Sequence, residues 1–403
     1  MYIARSLDPA LLRAAREFPV VVLTGPRQSG KTTTLKRLFG SRCGYCAMDL
    51  PDLKAAATTD PRGFLDLYPA PVILDEIQSV PGLLPYIKAR VDARRARKGR
   101  YFLTGSQNLA LARGVTESLA GRAAMMRLLP LSRREQSGNP FAPLPWEKGW
   151  RAATGDLHGP ALWKYICRGG YPELARAGGR DIGRWHSSYV QTYLERDIRS
   201  LRQVGDLVTF QNFLRALALR SGQLLNLADI GRDLGIALNT AKGWLSVLVA
   251  TYQVIILTPY FANIGKRLVK TPKVYFTDTG TVAWLAGIDE PVRAANGPLA
   301  GALFETAVVG EVVKALTNRG EEPRLHFWRT RKGEEVDLIV ETAGRLVPLE
   351  AKASSTPRPG MAAGIASFRR MLGPKAAPGY VVHGGSVRLP MVPGVTAIPF
   401  SDL

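Results

Sequence analysis

Apolar and polar positions along the first third of the chain follow two periods in turn. Leu11 to Phe18 carries its apolar residues at helical spacing, and the continuous run Val20 to Leu23 predicts a buried strand after it. A glycine-rich turn follows, and a helix is predicted from Thr32 to Leu38. Pro71 to Leu74 predicts a second buried strand, which runs into acidic residues. Leu83 to Arg97 predicts a helix with Arg90, Arg94 and Arg97 on one face by their spacing. Tyr101 to Leu103 predicts a third strand, ending in Thr104-Gly105-Ser106. Strands alternating with helices point to a parallel sheet covered on both faces.

The pattern then changes. Ser137 to Gly159 is rich in Pro, Gly and Trp without a clear period, which marks a linker or irregular excursion. Trp163 to Gln203 is helical in pattern. Leu225 to Leu248 offers two short helices, split near Leu234-Gly235-Ile236, before a strand at Val254 to Thr258 and a turn around Asn263 to Lys266. That order matches a helix-turn-helix with a wing. A strong helix is predicted from Leu303 to Leu316, and strands at Val336 to Val340, Arg345 to Leu349 and Tyr380 to Val382. The expected segments are residues 1–135, 136–204, 205–290 and 291–403, the last a small separate α/β domain. There is no internal repeat.

Composition narrows the partners. With 403 residues the chain exceeds one ordinary core, and 46% hydrophobic against 22% charged residues is a globular balance. The 54 Lys and Arg against 33 Asp and Glu leave +21, which favours a polyanionic partner, nucleic acid before an acidic membrane. Cys43, Cys46 and Cys167 cannot build a disulfide framework, and no second Cys/His pair follows Cys43-Gly-Tyr-Cys46 at zinc-site spacing. The N-terminal segment has charges inside its apolar pattern, unlike a signal peptide, and the longest apolar stretch, Val247 to Leu257, is too short to span a bilayer. A cytoplasmic protein is expected.

The chemistry concentrates first in Gly25-Pro26-Arg27-Gln28-Ser29-Gly30-Lys31-Thr32, with Thr33 beyond it. This run fits G-x-x-x-x-G-K-[ST] between a strand and a helix. The glycines permit a tight loop whose backbone N–H groups face phosphate oxygens; Lys31 reaches the β- and γ-phosphates, and Thr32 offers a hydroxyl to Mg²⁺. The strand Val72 to Leu74 ends in Asp75 and Glu76. Asp75 is placed to bind Mg²⁺ through water and Glu76 to polarise the attacking water, so ATP and Mg²⁺ are the expected cofactors. Ser106 is the candidate γ-phosphate sensor, with Thr104 and Asn108 as alternatives. Arg122, in a polar turn, is the candidate arginine finger, with Arg113 second; a finger acting in trans implies a homo-oligomer.

Together GPRQSGKT, VILDEIQ, FLTGS, SLAGR, LLPLS, GGYPEL and YLERDI, with Tyr275 to Gly280 and Phe304-Glu305, resemble the archaeal-ATPase-like group of AAA-type ATPases. That resemblance covers nearly the whole chain. It implies an α/β fold in three parts: a P-loop AAA-like parallel sheet, a helical and winged-helix segment, and a small α/β domain like restriction endonucleases.

The last part carries its own constellation. Glu335-Val336-Asp337 opens one strand, Glu350-Ala351-Lys352 closes the next, and Glu341 to Arg345 predicts the hairpin turn between them. Antiparallel pairing brings Asp337 near Glu350 and Lys352, and strand alternation puts Glu350 and Lys352 on one face. This is the D…E-x-K pattern of restriction-endonuclease-like nucleases, in which the carboxylates hold Mg²⁺ and the lysine serves the attacking water. Glu305 on the preceding helix is a further metal ligand, and Glu311 a weaker one. In the wing region Thr240, Lys242, Lys266, Arg267 and Lys270 are candidate phosphate contacts, while Trp244 belongs to the core. Two functions follow as expectations. One is a Mg²⁺-dependent ATPase acting on DNA, branched or damaged; the other is a nucleotide-gated switch with a protein or RNA partner and an inactive nuclease fold.

Overall fold

The computed structural model describes residues 2–105, 118–153, 155, 157–176, 180–193, 206–260 and 270–403. The chain divides into two compact units. The first is Met1–Leu131 with Ala250–Tyr252 and Ala315–Glu321; the second is Ser132–Val249 with Gln253–Lys314 and Glu322–Leu403. Among the described residues no helix is long and apolar enough to cross a membrane.

In the first unit, β1 (Val20–Thr24), β2 (Gly44–Ala47), β3 (Val72–Asp75), β4 (Tyr101–Gly105) and β5 (Ala123–Arg127) form a parallel sheet in the order β2-β3-β4-β1-β5. Strand β1 is buried throughout because its alternating side chains meet two covered faces. Val20 and Val22 pack in a core with Leu74, Ile87 and Leu103, and Val21 and Leu23 in one with Leu11, Leu35 and Phe102. Helices Asp8–Glu17 and Lys31–Phe39 cover the second face, and Leu84–Asp92 the first.

The helix expected through Arg97 stops at Asp92. Of the three arginines only Arg90 lies on it, donating to the Arg62 and Leu65 carbonyls and to Asp66. Continuing the helix would stack Arg90, Arg94 and Arg97 at repelling spacings. Two later pieces of chain, Ala250–Tyr252 and Ala315–Glu321, belong to this unit as well. Tyr252 Oη donates to Thr24 Oγ1 at 2.8 Å, and Asn318 accepts from Leu129 N at 3.0 Å and donates to Pro130 O at 3.1 Å.

The second unit opens with an irregular stretch and then helices Gly159–Arg168, Pro172–Arg176 and Ile182–Tyr193, where one helical run was expected; residues 194–203 lie outside the described residues. Next come helix Leu207–Ala218, β6 (Gln223–Leu224), helices Leu227–Leu234 and Leu238–Ala250, β7 (Val254–Pro259) and β8 (Lys273–Phe276). Trp244 sits edge-on to Phe210 and Phe213 in the core, as expected. After helix Ala300–Thr317 follow β9 (Leu325–Arg329), β10 (Glu335–Thr342), β11 (Arg345–Lys352), helix Ala363–Leu372, β12 (Gly379–His383), β13 (Leu389–Val392) and β14 (Val395–Pro399).

The expected segments 205–290 and 291–403 share a strand pairing. Strands β7 and β9 run parallel through Thr258 and Pro259, giving one sheet in the order β13-β14-β12-β11-β10-β9-β7-β8-β6. The β10–β11 hairpin turns at Ala343 and Gly344, both at positive φ (48° and 73°), the geometry of a two-residue hairpin loop.

Candidate functional site

The nucleotide loop follows the C-terminal end of β1. Gly25 has φ of 147°, and a Cβ there would lie 2.1 Å from the Leu128 carbonyl oxygen, so only glycine fits. Gly30, at φ 95°, turns the chain into helix Lys31–Phe39 in the left-handed region, and Gln28 takes φ 58° within the loop. Lys31 is buried and folds over the loop, its Nζ donating to the carbonyls of Gly25 (3.0 Å) and Pro26 (2.8 Å). Ser29 Oγ is buried without a hydrogen-bond partner among the described residues. A buried hydroxyl without a partner in a glycine-rich loop fits a phosphate oxygen. Arg27 is half-buried, while Gln28 and Thr33 are exposed.

Across the sheet edge, Thr32 Oγ1 lies 2.9 Å from both oxygens of Asp75, at the end of β3. Tyr45 on β2 donates to Asp75 Oδ2 at 2.9 Å, and Thr104 on β4 donates to Oδ1. A hydroxyl and a carboxylate converging beside the phosphate loop fit Mg²⁺. Glu76 holds φ 55°, a left-handed conformation that a non-glycine residue adopts at a cost. Its N–H donates to Thr104 Oγ1 at 3.0 Å, and its Oε2 accepts from Gln78. Thr104 therefore links the two acidic residues. Ser106, Asn108 and Arg113 lie outside the described residues.

Arg122 precedes β5, whose first residue pairs with Val20 at the start of β1. That is the sheet edge opposite the phosphate loop. Its guanidinium donates to both oxygens of Asp92 (2.6 and 3.0 Å) and to Ala120 O (2.9 Å), so it does not reach its own chain's loop.

Two contributors were missed in the sequence. Tyr45 lies inside the Cys43-Gly-Tyr-Cys46 run, where the cysteines drew attention although Cys46 faces the core. Arg5, 2% exposed, donates to Ser29 O (2.7 Å) and Leu129 O (2.6 Å) and so braces the loop from beneath.

The second unit holds a cleft of about 860 Å³ lined by Glu305, Glu335, Asp337, Glu350, Lys352 and Lys273 among others. Asp337 Oδ2 accepts from Ala351 N at 2.9 Å, so the hairpin register places Asp337 beside Glu350 as expected. Lys352 Nζ reaches Glu350 Oε1 at 2.6 Å from the same strand face, while Glu350 Oε2 is buried with no partner among the described residues. Burial, then the charge of Asp337, push the Glu350 carboxyl up to about 8 and that of Glu305 up to about 7. Crowded carboxylates with an unsatisfied buried oxygen fit a cation.

The expected three-carboxylate shell is not assembled. Among the described residues no three His, Cys, Asp or Glu side chains are grouped to hold a metal. Lys273 stands between them instead, its Nζ 2.8 Å from Glu305, 2.6 Å from Glu335 and 3.7 Å from Asp337. Glu311 is spent elsewhere, on Lys314, the Tyr165 hydroxyl and Arg133 N.

A parallel β2-β3-β4-β1-β5 sheet with a phosphate loop after β1 and a paired acid at the end of β3 defines a P-loop ATPase core of AAA type. The chain belongs to the AAA-type P-loop ATPase family that carries a C-terminal domain of unknown function. An AAA domain matches residues 17–137, and domains of unknown function match residues 159–292 (DUF8612) and 300–403 (DUF4143). Uncharacterized protein Rv2008c of Mycobacterium tuberculosis and Uncharacterized protein Mb2031c of Mycobacterium bovis are each 34% identical over 401 residues, covering 99% of this chain and 84% of theirs. The Walker-type ATPase paby2304 of Pyrococcus abyssi is 16% identical with a TM-score of 0.44, over 69% of this chain and 94% of that one.

Proposed function

We propose that the protein is a cytoplasmic Mg²⁺-dependent ATPase that acts on DNA, with branched or damaged DNA as the candidate substrates. The observation that carries the ATPase reading is Thr32 Oγ1 within 2.9 Å of both Asp75 oxygens, with Glu76 next in the chain. Lys31 binds the β- and γ-phosphates, Thr32 and Asp75 hold the ion, and Glu76 orients the attacking water. The ion's contribution is to neutralise charge on the transferred phosphoryl group. Arg122, held at the far sheet edge, serves a neighbouring copy in a homo-oligomer.

The DNA reading draws on the +21 charge and on the helix, β6, helix, helix, β7, β8 order of residues 207–276, which supports a winged helix. Lys242 and Lys270 are exposed there; Lys266 and Arg267 lie outside the described residues. In the cleft, Asp337 and Glu350 hold a second Mg²⁺ with Glu305 nearby, and Lys352 serves the water, as in a restriction-endonuclease-like site. A slow nucleotide-gated switch with a protein or RNA partner is the second reading. It draws on Gln78 engaging Glu76 and on Lys273 among the cleft carboxylates.

ATP turnover measured alone and with single-stranded, duplex and branched DNA separates the two. Stimulation by DNA supports the first reading, and slow turnover that DNA leaves unaltered supports the switch. Mg²⁺-dependent cleavage that persists in Lys352→Ala removes the nuclease site.

A further inference from the structure

Lys273 is an unusual residue to find buried within a sheet. It opens β8 and pairs with Leu257 of β7 and Leu224 of β6, and its side chain is only 4% exposed. A buried ammonium needs charge compensation, and this one has it in excess. Three carboxylates, Glu305, Glu335 and Asp337, surround one Nζ at 2.8, 2.6 and 3.7 Å. Glu335 and Asp337 are neighbours on one face of a strand, and the fold brings Glu305 to them from a helix. Tyr275, two residues along the same strand face, donates to Glu305 Oε1 at 2.6 Å and fixes that carboxylate toward the lysine.

Charge counting shows what remains. Glu305, Glu334, Glu335, Asp337 and Glu350 line the cleft and carry five negative charges when ionised. Lys273, Lys352 and Arg329, the last 3.4 Å from Glu335, carry three positive ones. Two negative charges are left over, the charge of one divalent ion. Of the two buried carboxylate oxygens there without a hydrogen bond among the described residues, Glu335 Oε1 lies 2.6 Å from the Lys273 ammonium and Glu350 Oε2, on a side chain 9% exposed, faces no cation. The deficit suits one further cation at the Glu350 end of the cleft, away from the lysine. Paired-metal sites set their ions about 3.5–4 Å apart between shared carboxylates. Asp337 is the carboxylate shared here, and on its Glu305 side an ammonium already takes the position.

We propose that Lys273 is a resident cation of the cleft, occupying with its ammonium the place a second divalent ion would take between Glu305, Glu335 and Asp337, so that the cleft holds a single divalent ion on Asp337 and Glu350. The assignment rests on the cleft being a cation site. It adds that the segment carrying the proposed winged helix supplies part of the site's charge, and that the chain's chemistry there is of the one-metal kind. Removing the ammonium leaves three buried carboxylates without their counterion, which either protons or an added cation must then neutralise.

The test counts bound Mn²⁺ on the full chain without nucleotide, by electron paramagnetic resonance of the free ion. Wild type is compared with Asp337→Asn, Glu350→Gln, Lys273→Met, Lys273→Gln and Lys273→Arg, each checked for folding by circular dichroism. Asp337→Asn and Glu350→Gln each bind about one ion fewer than wild type. Lys273→Met and Lys273→Gln each bind about one more, Lys273→Arg binds no more, and Glu305→Gln added to Lys273→Met cancels the gain. If Asp337→Asn and Glu350→Gln bind as many ions as wild type, the cation-site reading itself falls. If they lose an ion but neither uncharged Lys273 variant gains one, or the gain is only tighter binding of the same number, the assignment to Lys273 is overturned.

Discussion

Tyr45 donates its phenolic proton to Asp75 Oδ2 at 2.9 Å, and Thr32 Oγ1 lies at the same distance from that oxygen. The carboxylate at the end of β3 is thus held from β2, β4 and the phosphate-loop helix at once. Lys36 Nζ lies 3.4 Å from the Tyr45 ring centroid and keeps the ring in place. Burial, then the charge of Asp75, raise the hydroxyl well above the ordinary tyrosine range, so it remains a donor to the carboxylate.

Tyr45→Phe removes one hydrogen bond to a charged acceptor, an interaction contributing about 1.5–3 kcal/mol. The expected outcome is a fall in ATP turnover of about 10-fold at limiting Mg²⁺, recovering as Mg²⁺ is raised, with unchanged affinity for nucleotide alone. Turnover measured across a Mg²⁺ series checks it. A loss that Mg²⁺ does not relieve assigns Tyr45 to strand stability instead.

The phosphate loop and the acidic strand end were legible in the sequence because their residues are contiguous and each residue type has a local reason. Tyr45 and Arg5 were not, since their contacts cross 30 and 24 residues of chain and depend on which strand lies beside which. Strand β2 is short, opens on Gly44 and is half-exposed at the sheet edge, so it gave little apolar signal. In the second unit the hairpin fixed Asp337 against Glu350, a local pairing readable from the turn. Lys273 enters only through the β7–β9 pairing, a long-range register that no short window contains. An isolated lysine beside a strand reads as surface, and its burial was invisible until three carboxylates were placed around it.

Glu76→Gln keeps the side chain's shape and removes the carboxylate proposed to orient the attacking water. Turnover should fall by about 10²–10⁴-fold while ATP binding persists, because Lys31, Thr32 and the loop amides are untouched. Binding by fluorescent nucleotide and turnover by phosphate release, run on the same preparation, check both halves. Turnover within about threefold of wild type would sink the assignment of the base.

Arg122, bonded to Asp92 and proposed to act on another copy, makes a mixing experiment informative. Arg122→Ala and Glu76→Gln chains are each expected to be nearly inactive, the first by about 10³-fold. Mixed, they should regain a fraction of wild-type activity, since the Arg122→Ala chain keeps its base and borrows the partner's arginine. No recovery, with oligomers demonstrated by sedimentation, would remove Arg122 from the site and leave its bonds to Asp92 as its role.

The cleft carboxyls set a pH dependence whose sign can be worked out. Glu350 and Glu305, ordinarily at 4.5, are pushed up to about 8 and about 7, by burial first and by Asp337 next. In this window the folded chain binds more protons than the unfolded one, so the stability these groups contribute is complete at low pH. It is lost as pH rises through 7 and 8. Without divalent ions, the melting temperature should therefore decline between about pH 5 and pH 8. Glu350→Gln, which removes one ionisation, should flatten the decline. Mn²⁺ should restore stability most at the alkaline end, because a bound cation favours the charged carboxylate and competes with its proton. Thermal unfolding of wild type and Glu350→Gln in chelator and in Mn²⁺, across that range, checks all three. A wild-type curve that rises with pH, or a variant with the same slope, would show that these carboxyls do not carry the buried charge assigned to them.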